Sequence, residues 1–184
     1  SRPTVPARLW AAKDGALSLT AQDARPLRWE PVHRLPDGVV LEDTDPYRNT
    51  FGYAAQPRLA PDLAARWTEC YGAARELIRN EYPEYAPALD AGLVSLTPLI
   101  TPPDGHDASA AARQAYGAIS CVLPPTPDRL VLLILHEFQH VKLGALIDLA
   151  PLCNPDDGAL YVAPWRPDLR PLGALLQART PIWP

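Results

Sequence analysis

The stretch Leu130–Leu149, LVLLILHEFQHVKLGALIDL, decides how the rest of the chain reads. It is almost wholly apolar, yet His136, Glu137 and His140 stand in its middle. An imidazole or carboxylate taken out of water is costly unless it is hydrogen-bonded, paired or bound to a metal. Upstream, Thr126 fits an N-cap, Pro127 the first helical position and Asp128 the positive helix end. Downstream, Pro151 forbids continuation. The spacing therefore predicts one helix over about 127–149. His136 and His140, four apart, fall on one face of it, where two imidazoles can hold one divalent metal. Glu137 is turned about 100° away around the axis and is expected to support that pair rather than join it as a ligand.

HExxH is the pattern of zinc metallopeptidases, whose glutamate serves as general base. The third ligand such sites need is not legible. The metzincin continuation fails, with Leu143 where its glycine belongs and Leu146 where its last histidine belongs. A gluzincin takes a glutamate from a later helix, but no Glu follows His140, only Asp148, Asp156, Asp157 and Asp168. Asp148 is eight residues past His140 on the same helix, too far along to reach back. His33 and His106 lie upstream in expected loops or strand ends. Two histidines with one carboxylate and open positions match non-haem iron(II) oxygenases instead. Their 2-oxoglutarate co-substrate needs a cation on its distal carboxylate, a task suited to arginine; Arg48, Arg166 and Arg170 are the candidates. The competing reading is a solvent-facing polar stripe shared with Gln139 and Lys142.

Around this helix the pattern predicts an α+β fold: one domain over 1–184, antiparallel or mixed strands against helices, the HExxH helix central. Short apolar runs broken by Asp-Gly and Pro before Leu35 read as strands and turns. Val39–Glu42 reads as a further strand. Leu63, Trp67, Tyr71, Ala74 and Ile78 recur at helical spacing between Pro61 and Pro83. Strands are expected around 92–100 and 115–123, joined by a polar surface loop with a helical turn at its end. The run 159–172 reads as extended, and GALLQAR as a short last helix.

The chain of 184 residues has 21% charged residues, net charge −4 and no basic run, which argues against a nucleic-acid partner. Cys70, Cys121 and Cys153 are too few and too scattered for a disulfide framework and read as buried thiols in a reducing, cytoplasmic setting. No signal peptide is visible, and the charged motif interrupts the longest apolar run, so no membrane span is expected. A start at Ser1 and the absence of methionine read as a processed product or a piece of a longer polypeptide.

Three blocks then carry a resemblance: LEDTDPYR, SAAARQAYGAISCVLPPTPDRLVLLILHEFQHVKLGALIDLAPL and YVAPWRPDLRPLGALLQ, together about 41–177. In order and spacing they resemble the HExxH-motif domain of bacterial peptide-modification systems, the αKG-HExxH-type peptide β-hydroxylases, which also occurs fused to radical-SAM peptide-maturation enzymes. The resemblance implies iron(II)- and 2-oxoglutarate-dependent hydroxylation of a side-chain β-carbon in a ribosomally made precursor peptide. It implies His136 and His140 as metal ligands, Glu137 as the motif glutamate, and roles for Arg166 and Arg170. The implied partners are that peptide and a fused or separate radical-SAM enzyme. Family members continue past LLQ into a helix carrying a histidine, whereas this sequence reads ARTPIWP. Two alternatives therefore stand beside the hydroxylase: a zinc peptidase, and a peptide-binding module that lacks the third ligand.

Overall fold

The structure, a computed structural model, describes residues 7–11, 17–21, 31–150, 152, 158–163 and 166–178. Its contacts divide into two compact units, Ser1–Pro31 and Val32–Pro184. In the first, β1 (Ala7–Ala11) pairs antiparallel with β2 (Leu17–Ala21), Leu9 opposite Leu19. The second runs β3 (His33–Arg34), β4 (Val40–Leu41), α1 (Pro61–Glu81), α2 (Ala86–Gly92), β5 (Ser95–Pro98), β6 (Ser109–Ala111), β7 (Ala118–Cys121), α3 (Pro127–Leu149), β8 (Leu160–Ala163), β9 (Arg166–Pro171) and α4 (Leu172–Ala178). This is an α+β fold.

Five short strands form a mixed sheet in the order β3-β4-β5-β7-β6. The inner pairs β4-β5 and β5-β7 are parallel, and the outer pairs β3-β4 and β6-β7 are antiparallel. A parallel pair needs a long crossover, which α1 and α2 supply between β4 and β5. Leu41, Leu96 and Ile119 stand in register across the three inner strands, all fully buried. Side chains alternate across a strand, so this row marks one face. In the same core cluster α1 buries Trp67, Tyr71, Ala74 and Ile78, as its spacing predicts. There α3 buries Leu130, Val131, Ile134, Leu135, Phe138 and Val141, and it packs on α1, β6 and β7. Each such aliphatic side chain contributes roughly 1.5–3 kcal/mol on burial. By length and composition α3 could cross a membrane; here it is the central helix of the core.

Arg75 of α1 is the one fully buried cation among the described residues. Its Nε donates to Asp37 Oδ2 at 3.0 Å, and it also pairs with Asp90 of α2. Arg79 reaches the same Asp37 at 2.8 Å. The turn between β3 and β4 is thus tied to both helices. Gly117, which leads into β7, has φ +79°, and a Cβ there would stand 2.7 Å from the Gly92 carbonyl oxygen. That close approach lets the Gly117 carbonyl accept from Val94 N–H at 2.7 Å and start the β5-β7 ladder. Cys70 and Cys121 are free thiols, and burial pushes both up; Cys153 lies outside the described residues.

Two elements differ from the sequence expectation. The loop expected at 101–114 contains an edge strand, β6, where Ser109–Ala111 pair with Ile119–Cys121. Serine and alanine have little strand propensity of their own, so the pairing comes from the neighbouring strand. Residues 86–92 form α2, which has no amphipathic signal of useful length. The helix at 127–149 stands with the expected bounds, but Thr126 makes no side-chain cap. Only its carbonyl accepts, from Leu130 N–H at 3.3 Å.

Candidate metal centre

The buried stripe of α3 runs through Leu130, Ile134, Glu137, Phe138 and Val141, which puts Glu137 inside and His136 and His140 at its border. Nε2 of His136 and Nε2 of His140 lie 3.1 Å apart, with the rings inclined at 80°. Two nitrogens bound to one metal at about 2.1 Å and roughly 90–110° apart would lie about 3.0–3.4 Å from each other. The pair therefore fits two adjacent positions of one divalent metal. Burial, and next the neighbouring His136, lower the pKa of His140 and favour the neutral imidazole that a metal requires.

Glu137 is the group whose burial has to be satisfied. Ser109 Oγ on β6 donates to its Oε1 at 2.6 Å, and the Ala111 N–H donates to the same carboxylate. Burial raises the carboxyl above the ordinary glutamate value; Ser109, His136 and Ala111 pull the other way without cancelling it. Although Glu137 leaves the helix about 100° from His136, its Oε1 comes to 4.0 Å from His136 Nε2. The long side chain brings the carboxylate to the rim of the histidine pair. The carboxylate already accepts from two protein donors.

All three motif residues open into one cavity of about 340 Å³. One wall is α3, with His136, Glu137, His140 and Asp148; the other is β6 and the residues after it, with Ser109, Arg113 and Tyr116. Sequence reasoning missed Ser109, Arg113 and Tyr116, which carry no local signal because they face the motif only once β6 pairs with β7.

Among the described residues no cluster of three or more His, Cys, Asp or Glu forms a ligand set. His33 faces Asp43 at 3.7 Å, His106 pairs with Asp104, and neither lines the cavity. Asp148 lines it but pairs with Arg113. Asp156 and Asp157 lie outside the described residues.

Of the three arginines expected at the co-substrate, Arg48 and Arg170 are placed elsewhere and do not line the cavity. Arg48 donates to the Gln56 carbonyl at 2.9 Å and the Asp45 carbonyl at 2.6 Å, pinning the loop after β4. In that loop Asp43, almost fully buried, accepts from Leu59 N–H at 2.9 Å and pairs with Arg58. The block LEDTDPYR is thus a turn-building device. Arg170 lies on β9, its Nε 2.6 Å from Asp168 Oδ2. Arg166 begins β9, opposite Ala163, and its side chain lies outside what is described.

No family model matches the chain, and no curated protein matches it in sequence.

Proposed function

We propose that this chain is a metal-dependent enzyme acting on a peptide, and specifically an iron(II)/2-oxoglutarate peptide β-hydroxylase. The observation that carries the metal is the 3.1 Å separation of the two Nε2 atoms at the mouth of the cavity. The hydroxylase reading draws further support from the sequence resemblance. His136 and His140 would hold the metal, leaving open positions. Iron bound there supplies redox chemistry with O₂: one oxygen atom enters a peptide C–H bond, the other enters succinate, and CO₂ leaves. Glu137, fixed by Ser109 and the Ala111 N–H, orients and polarises the groups around the pair. The partners are a precursor peptide and a fused or separate radical-SAM enzyme, in a cytoplasmic setting.

One observation favours a second reading, a zinc peptidase. The Glu137 carboxylate stands 4.0 Å from His136 Nε2, where a general base would be placed.

The deciding experiment loads the protein anaerobically with iron(II), then adds 2-oxoglutarate, O₂ and candidate precursor peptides. Gain of one oxygen by the peptide, with matching succinate, is the expected result. Cleavage of the peptide by zinc-loaded protein selects the peptidase. Neither product, with peptide still bound, leaves a non-catalytic binding module.

A further inference from the structure

Among the described residues the cavity beside the histidines contains one cation, and it is neither Arg48 nor Arg170. Arg113 is the sole Lys or Arg among the described residues that line it. Its stem crosses α3 next to Gly144, with Cγ 4.0 Å from where a Cβ on Gly144 would stand. His136, His140, Gly144 and Asp148 recur every four residues and form one stripe of the helix. Arg113 therefore lies over the same stripe as the histidines, one turn further along.

Its guanidinium already holds a carboxylate. Nε donates to Asp148 Oδ1 at 2.8 Å, and Nη2 donates to that same oxygen. Two donors converging on one oxygen do not make the parallel two-oxygen pairing that an arginine fork prefers. The side chains of Arg113 and Asp148 are 57% and 53% exposed. Ion pairs this exposed are weak and exchange readily. Asp148 lies about 12 Å along the helix from His140, a gap that a five-carbon dicarboxylate and a long arginine side chain can span together. Tyr116, on the same wall, adds a hydroxyl.

We infer that Arg113 is the carboxylate anchor of this cavity: it exchanges Asp148 for the distal carboxylate of 2-oxoglutarate, leaving the oxo-acid end for the metal on His136 and His140. This assignment rests on the hydroxylase reading. Asp148 acts as an internal competitor that occupies the guanidinium until the co-substrate arrives.

The test compares two ligands that differ only in the distal carboxylate. Iron(II)-loaded protein under argon is titrated with 2-oxoglutarate and with 2-oxobutanoate, and binding is followed by the visible charge-transfer band. Wild type should prefer 2-oxoglutarate by tenfold or more (roughly, for a charge-assisted hydrogen bond). Arg113→Gln should bring that ratio close to one with iron content unchanged, and Arg113→Lys should restore part of it. Asp148→Asn should tighten 2-oxoglutarate a few-fold and leave 2-oxobutanoate alone. A ratio unaltered in Arg113→Gln overturns the anchor while the hydroxylase reading stands, as does an Asp148→Asn variant that binds 2-oxoglutarate no more tightly. Iron-loaded wild type that binds neither ligand overturns both.

Discussion

Ser109 Oγ donates to Glu137 Oε1 at 2.6 Å, joining the edge strand β6 to the middle of α3. This bond, with the Ala111 N–H, is what allows a carboxylate only 4% exposed to sit in an apolar helix. Ser109→Ala removes one of the two donors. The expected cost is about 1.5–3 kcal/mol at neutral pH, the range for a hydrogen bond to a charged group. Denaturant unfolding of the metal-free protein measures it. A change below about 0.3 kcal/mol, within the scatter of neutral surface substitutions, would mean that the bond does not hold Glu137.

The histidine pair separates a metal site from a polar stripe. His136→Ala and His140→Ala should each weaken divalent-metal binding by about 100-fold or more. In the presence of chelator His136→Ala should change stability by less than about 0.5 kcal/mol, because its side chain is 47% exposed. Metal at about a hundred times its Kd should stabilise wild type by roughly 2.7 kcal/mol and both variants by far less. Thermal unfolding with and without metal reads both effects.

Asp37 gives the fold a dependence on acid. Burial by itself would raise this carboxyl, but hydrogen bonds from Arg75 and Arg79 outweigh burial and hold it below the ordinary aspartate value of 3.8. With a depressed folded-state pKa, the unfolded chain binds the proton first as pH falls. The stabilisation is therefore complete above the unfolded value and is lost as pH drops through the folded one. Asp37→Asn should cost about 1–3 kcal/mol at neutral pH, leaving buried Arg75 with Asp90. The gap from wild type should close below about pH 4. Unfolding curves of both proteins across pH 2 to 7 (a span set by about two units either side of that aspartate value) would show a constant gap if the network were unimportant.

Gly117 is held by conformation and by space. Any side chain there meets φ +79° and contacts of 2.7 Å to Gly92 O and 2.8 Å to Val94 Cγ2. Gly117→Ala should destabilise by about 2–4 kcal/mol. A variant that melts with wild type would show that the start of β7 can shift to accommodate the methyl group.

Thr126 makes the opposite prediction. Its place before Pro127 fits an N-cap, yet its hydroxyl makes no capping bond. Thr126→Ala should cost less than about 0.5 kcal/mol, against about 1 for a working cap. A larger loss in denaturant unfolding would restore the cap.

The helix bearing the motif was legible because its signals are local. Pro127 opens it, Pro151 bars its extension, and apolar residues fill the span between them. The same holds for α1, whose Trp67, Tyr71, Ala74 and Ile78 repeat on one face. Strand β6 was illegible because SAA has no pattern of its own. Its pairing depends on Ile119–Cys121, which α3 and β5 hold in place.

By itself, then, the sequence determined that His136 and His140 share one helical face, since periodicity acts over four residues and needs nothing else. Tertiary structure decided what surrounds them. Ser109 reaches Glu137 across 28 residues, and Arg113 rather than Arg48 or Arg170 enters the cavity, 35 residues from its partner Asp148. Those meetings follow from sheet order. The antiparallel edge strand lies beside β7 and under α3, and no local pattern encodes which loop the sheet brings to its edge.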